Sequence, residues 1–224
     1  MTHILWDWNG TLLDDTQAAV DTLNIMLARR GGRPVAMDYY RDHFAFPVKP
    51  FYKSIGVCLE NEDWDALAVE YHDTYAAQPK RLNRETVAAL ERVKASGARQ
   101  SIISALRQDL LEAITAELGV AKYMDQICGV DNLDGFGKID RAREMLSSLL
   151  ASPDNTSSFS LLPSSFVLIG DSLHDKEVAD ALGVRCVLCA QGSHAAWRLR
   201  AVAPTGDTLM EALDLALGKG AMEM

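Results

Sequence analysis

The sequence predicts an α/β fold, a doubly wound, Rossmann-like parallel sheet with a helical cap domain inserted after its first strand. Three observations carry this. Short apolar, β-rich runs alternate with helical patterns, an order that builds parallel sheets through crossover helices. Between about Thr16 and Lys80 the alternation stops and only helical stretches appear. Carboxylate-bearing residues follow directly on two of the apolar runs, at the carboxyl edge where ligands of such sheets bind.

The first strand is predicted over His3 to Asp7 and runs into Trp8-Asn9-Gly10-Thr11-Leu12. Trp6 and Trp8 flank Asp7 and are expected to face opposite sides, packed in the core rather than stacked on a ligand. Helical patterns over Thr16 to Arg30 and Glu62 to Ala77 fill the insertion, which divides the chain into a core (residues 1–15 and 81–224) and a cap (residues 16–80). The core resumes with a helix for which Asn83 is the expected N-cap and Gly97 the terminator, with Val87, Leu90 and Val93 on one face. A second strand is expected over Gln100 to Ser104, followed by a helix with a Leu110, Ile114 and Leu118 stripe that stops at Gly119. Further strands are read at Gln126 to Val130, Phe166 to Gly170 and Val184 to Cys189. A Ser-rich stretch from Ser152 to Ser158, continuing to Ser164-Ser165, reads as a solvated loop, and Gly218 to Met224 as a fraying end.

With 224 residues, 48% hydrophobic and 24% charged, the chain is long enough for one large domain with an insertion. Its net charge of −9 argues against nucleic acid and against an anionic membrane surface, both of which need clustered positive charge. No apolar run reaches the roughly 18 residues of a membrane span, and the N-terminus has no basic segment followed by a long apolar run. A cytoplasmic protein is expected, monomeric or homodimeric. Of its four cysteines, Cys186 and Cys189 form a CxxC within a predicted strand, where residues three apart face opposite sides and cannot share a metal. All four are read as reduced thiols.

Chemistry concentrates at three strand ends: Asp7 after the first, Ser104 after the second, and Gly170-Asp171-Ser172-Leu173-His174-Asp175 after the fourth. Asp7 and Asp171 would converge at one sheet edge, where their repulsion calls for a cation. An all-oxygen set suits Mg²⁺. Asp175, four residues on at the start of a helix, can support the same ion directly or through water.

Asp7-x-Asn9-Gly10-Thr11-Leu12, Ser104, Lys138 and Gly170-Asp171-x-x-x-Asp175 together resemble the four ordered motifs of the haloacid dehalogenase superfamily, and in particular its phosphoglycolate-phosphatase-like members. The resemblance implies a Mg²⁺-dependent phosphatase acting on a small phosphorylated metabolite. Asp7 would be the nucleophile that forms an aspartyl-phosphate. Asp7, Asp171 and the Asn9 backbone carbonyl would bind Mg²⁺, with Asp175 supporting. Ser104 would bond a phosphoryl oxygen, Lys138 would neutralise phosphate and nucleophile, and backbone N–H groups at Gly10 and Thr11 would add donors.

Two departures stand out. The family's phosphatases usually carry Asp two positions after the nucleophile as general acid/base; Asn9 cannot transfer that proton, which is worth about 10²–10⁴-fold in rate. His174 is the nearest titratable alternative in sequence, and a leaving group needing no proton would also tolerate Asn9. Lys138-Ile139 stands where Lys-Pro is common. Arg41, Lys49 and Lys53 in the cap, and Arg107 after Ser104, are candidates for a substrate carboxylate or second phosphate. The alternative function is a catalytically weak protein that binds a phosphorylated ligand in a regulatory role.

Overall fold

A computed structural model describes residues 2–133, 135, 137–151 and 162–218. Its centre is a six-stranded, all-parallel sheet ordered β5-β4-β1-β6-β7-β8. The strands are β1 (His3–Trp6), β4 (Arg99–Arg107), β5 (Ile127–Val130), β6 (Phe166–Gly170), β7 (Arg185–Cys189) and the two-residue β8 (Thr205–Gly206). The strands' continuous apolar runs follow from burial on both faces. Ile4, Trp6, Ile102, Val167, Ile169 and Val187 point into one apolar cluster, covered by α5 (Thr86–Ala95), α6 (Gln108–Glu117) and α10 (Leu209–Ala216). Leu5, Ile103 and Leu168 point into the other, covered by α7 (Lys138–Ala151) and α8 (Leu173–Leu182). Cys189 faces the first cluster and Cys186 packs against the second, so the CxxC is split across the sheet, and all four cysteines are free thiols.

A two-stranded antiparallel ribbon, β2 (Leu13–Asp14) with β3 (Arg81–Leu82), brackets the intervening helices α1 (Thr16–Arg29), α2 (Met37–His43), α3 (Val48–Ser54) and α4 (Trp64–Ala76). These helices bury their own cluster of Val20, Leu23, Met26, Leu27, Tyr40, Phe51 and Leu67. A bidentate Arg30 tied to Glu62 and Glu70 crosses from α1 to α4. The short α9 (Ala196–Arg200) completes the order. None of the described helices is long and apolar enough to cross a membrane.

Several local expectations are corrected. Trp6 and Trp8 are both fully buried in the same cluster, because residues two apart share a side of an extended chain. Leu110 and Val87 are exposed, while Leu111 with Thr115, and Ala89 with Leu90 and Val93, form the buried faces. Leu90 and Val93 are buried as expected, and Ile114 and Leu118 pack against the core partly buried. Spacings of strictly three or four drift around a 3.6-residue helix, so only the first residue of each stripe, Val87 and Leu110, leaves the buried face. The N-cap of α5 is Glu85, and Asn83 instead accepts the Glu85 N–H at 3.0 Å. β4 continues past Ser104 to Arg107, with its register against β5 shifting after Ile103. The stretch 152–158 and the end after Gly218 lie outside the described residues.

Candidate active site

β1 lies between β4 and β6, so the chain diverges to both sides of it and a crevice opens beyond their carboxyl ends. Asp7 leaves β1 there, its N–H held by the Ile169 carbonyl at 2.8 Å. β6 delivers Asp171, and α8 begins at once with Ser172 as N-cap and Asp175 in its first turn. Asp175 Oδ2 accepts the Ser172 N–H at 3.0 Å, the Ser172 hydroxyl at 2.6 Å and the Asp171 N–H at 3.2 Å. The Asp171-Ser172 pair is therefore at once a helix cap and part of the site. Lys138 opens α7 and donates to Asp7 Oδ1 and Asp175 Oδ1, both at 2.6 Å. Carboxylate oxygens of Asp7, Asp171 and Asp175 lie within 4.8 Å of one another.

Asp171 is fixed by Ser193, whose backbone N–H and hydroxyl both donate to its Oδ2. A Cβ at Gly192 or at Gly10, which has φ +75°, would overlap the Asp171 carboxylate. Only glycine lets both loops close on it.

Three buried carboxylates face one ammonium, leaving the cluster short of positive charge. Burial, reinforced by the Asp175 charge, raises Asp7 well above the carboxylate range despite Lys138. Burial and the same neighbour push Asp171 up to about 7, opposed by the Ser193 bonds. Burial opposes the charge of Asp175 too, but Lys138 and the Ser172 hydroxyl outweigh it and hold its pKa down. Lys138 is likewise desolvated, yet attraction to Asp175 and Asp7 keeps it charged. The all-oxygen donor set and its deficit of positive charge fit a hard divalent cation. Both Asp175 oxygens are already committed, so Asp7 and Asp171 are the better placed direct donors.

Other expected residues fall less uniformly. Asn9 and Ser104 line the cavity above the cluster; the Ser104 hydroxyl accepts the Leu106 N–H at 3.0 Å and lies 3.5 Å from Asn9 Oδ1. The Gly10 and Thr11 N–H groups, expected as phosphoryl donors, are engaged within the loop, on Asp15 Oδ1 at 2.7 Å and on the Trp8 carbonyl at 3.3 Å. Arg107 is not brought to the cavity and pairs with Asp109 on the surface. Arg41 donates to the carbonyls of Gly192 and Gln191, and Lys49 lies over the Trp64 ring. His174 does line the cavity, its ring 5.1 Å from Phe46 and its Nδ1 3.0 Å from Glu177.

Sequence reasoning missed Asp15, Tyr75 and Ser193. Buried Asp15 accepts from Asn9 Nδ2 at 2.8 Å and from the Tyr75 hydroxyl at 2.5 Å, and Asn9 Nδ2 also donates to that hydroxyl at 3.1 Å. Burial raises the Asp15 pKa. The one available signal was a second acid directly before a helix in Asp14-Asp15; nothing in sequence announces Tyr75, which reaches the site from α4.

Removing the lysine should cost stability first. Lys138→Met leaves Asp7 and Asp175 buried without a counter-charge and is expected to destabilise the metal-free protein by about 3–5 kcal/mol. Urea unfolding of the two proteins measures it; equal midpoints and slopes would contradict the pairing.

The doubly wound sheet, with a carboxylate–lysine cluster beyond its central strands, defines a Rossmann-like α/β protein with an acidic, cation-accepting centre. The chain belongs to the haloacid dehalogenase-like hydrolase family, whose model matches residues 4–189. Among curated proteins it is 20% identical over 190 residues to "Putative pyrophosphatase PpaX" of Caldanaerobacter subterraneus, covering 84% of this chain and 80% of that one. Among solved structures it resembles a predicted phosphatase from Clostridium acetobutylicum, with TM-score 0.75, 19% identity and coverage of 97% of this chain and 98% of that one. A haloacid dehalogenase-like family hydrolase from Streptococcus pneumoniae gives TM-score 0.75 and 19% identity over 96% and 98%. At these identities the structural likeness establishes the fold.

Proposed function

We propose that this protein is a Mg²⁺-dependent phosphatase that hydrolyses a small phosphorylated metabolite through an aspartyl-phosphate on Asp7. The observation that carries the reading is the convergence of Asp7, Asp171 and Asp175 at the carboxyl edge of the sheet, with Lys138 bonded to Asp7 and Asp175. Asp7 is the nucleophile, and its carboxylate attacks phosphorus in line with the departing oxygen. Lys138 favours the ionised form of Asp7 against its burial and counters charge on the transferring group. Ser104, which lines the same cavity, bonds a phosphoryl oxygen. Asp7, Asp171 and the Asn9 carbonyl would hold Mg²⁺, with Asp175 orienting Lys138 and the loop of Asp171. The ion would supply neutralisation of the carboxylates and polarisation of a phosphoryl oxygen. Residues 16–80 act as the cap over the core formed by 1–15 and 81–224, since the cavity is lined from both segments.

Phosphate release from 4-nitrophenyl phosphate, with and without Mg²⁺, tests this. Turnover that requires Mg²⁺ is expected. Rates equal to the buffer control, together with measurable binding of a phosphorylated ligand, would support the regulatory alternative, which Asn9 favours.

Metal affinity should depend on pH with a definite sign. Asp171, pushed up to about 7 without metal, holds a proton below that pH, and a cation must displace it. The dissociation constant for Mg²⁺, read by calorimetry, is expected to rise as pH falls below 7, about tenfold per pH unit for each proton the cation must displace. A flat profile between pH 5.5 and 7 would remove Asp171 from the binding set.

A further inference from the structure

The cavity has two unlike ends. Its floor is the charged cluster, and its upper walls are Leu23, Phe44, Phe46, Phe51, Trp64 and Tyr71. Its volume is about 190 Å³, and an apolar cavity of roughly 150 Å³ accommodates a benzene ring. Lys138 is the only Lys or Arg among the described lining residues, and it is held by two carboxylates. His72 and His174, also in the wall, are already engaged, the first with the Leu133 carbonyl at 2.8 Å and the second with the Glu177 carboxylate at 3.0 Å. A leaving group carrying a carboxylate or second phosphate would therefore lose its water against hydrocarbon without gaining a counter-charge. Arg41, Lys49, Lys53 and Arg107, the cations expected to meet such a group, all lie outside the cavity.

Asn9 supplies an independent constraint. Its amide donates to Asp15 and Tyr75 and cannot hand over a proton, so the leaving oxygen must depart without one from this position. A phenolic oxygen ionises near pH 10, as tyrosine does, whereas an alkoxide is far more basic.

From these two observations we infer that the substrate class is aryl phosphate, a monoester of a phenol-type oxygen on a single, largely uncharged ring. The inference rests on the phosphatase reading and adds the leaving group to it. An Asp7 carboxylate oxygen forms the new bond to phosphorus. The phosphorus–oxygen bond to the ring breaks, and its electron pair leaves on the aryl oxygen, which takes a proton from solvent. Water then attacks the phosphorus of the aspartyl-phosphate, restoring the Asp7 carboxylate and releasing inorganic phosphate. The aromatic wall binds the ring by offset and edge-to-face contact.

The test compares kcat/KM for 4-nitrophenyl phosphate, phenyl phosphate, benzyl phosphate, phosphoglycolate and pyrophosphate in Mg²⁺. Benzyl phosphate keeps the ring but leaves as an alkoxide, and is expected to lag phenyl phosphate by about 10²-fold or more. Phosphoglycolate and pyrophosphate should fall below phenyl phosphate. Phe46→Ala should raise KM for phenyl phosphate about tenfold, as expected for loss of an aromatic contact and its buried area. Calorimetry without turnover should show phenylphosphonate binding more tightly than phosphonoacetate. Phosphoglycolate or pyrophosphate matching phenyl phosphate would overturn the inference while leaving the phosphatase reading intact. Equal rates for benzyl and phenyl phosphate would also overturn it, because another group would then protonate the leaving oxygen. No turnover of any compound, 4-nitrophenyl phosphate included, would remove the phosphatase reading and the inference with it.

Discussion

Asp7→Asn should lower phosphate release from 4-nitrophenyl phosphate by about 10³-fold or more, because an amide cannot form the acyl-phosphate bond. The same change should leave the fold intact. Asp7 is buried and repelled by Asp175 and Asp171, so its charge is held at a cost that a neutral isostere removes. Lys138 keeps its second partner, Asp175, at 2.6 Å. A midpoint of urea unfolding equal to or above that of the native protein is therefore expected beside the loss of activity. This pairing separates a chemical defect from an unfolded protein. Retained Mg²⁺-dependent turnover in the folded variant would move the nucleophile elsewhere.

The core of this site could be read from sequence because its residues follow apolar runs buried on both faces. Such runs need no face assignment, so β1 and β6 place Asp7 and Asp171 directly. Asp175 follows from helix phase and Lys138 from the family's motif order. What failed required knowing which way a face turns. Leu110 and Val87 are a single helical step from their buried neighbours Leu111 and Thr86. β2, β3 and β8 have two residues each, too few for any periodicity, and are defined only by their partners. Arg107 is near Ser104 in sequence, but β4 carries it beyond the cavity and Asp109 captures it. Asp15 illustrates the deepest gap. Its role follows from Gly10 and Asn9 turning back toward it and from Tyr75 arriving from α4, and those contacts do not exist until the chain has folded.

That contact also changes what restoring a proton donor requires. Asn9→Asp alone would set a second carboxylate where the Asn9 amide now donates at 2.8 Å to Asp15, a residue itself 4% exposed. The variant loses a donor and gains a like charge, and a destabilisation of about 1–3 kcal/mol is expected. Any gain in catalysis would be blunted, since the two groups would compete for one proton. The exchange Asn9→Asp with Asp15→Asn keeps one carboxylate and one amide and only reverses the direction of the bond. Position 15 still offers an oxygen to the Gly10 N–H, and the Tyr75 hydroxyl can donate to the new carboxylate while accepting from the new amide. Stability should return to within about 1 kcal/mol of the native protein, given that the number of buried donors and acceptors is conserved. With a proton-transferring group now two residues after the nucleophile, hydrolysis of benzyl phosphate should rise by about 10²–10⁴-fold, and that of 4-nitrophenyl phosphate far less. An unchanged benzyl phosphate rate in the folded double variant would mean that position 9 does not face the leaving oxygen. A rise with the single substitution as large as with the exchange would mean that Asp15 exerts no charge on position 9 during turnover.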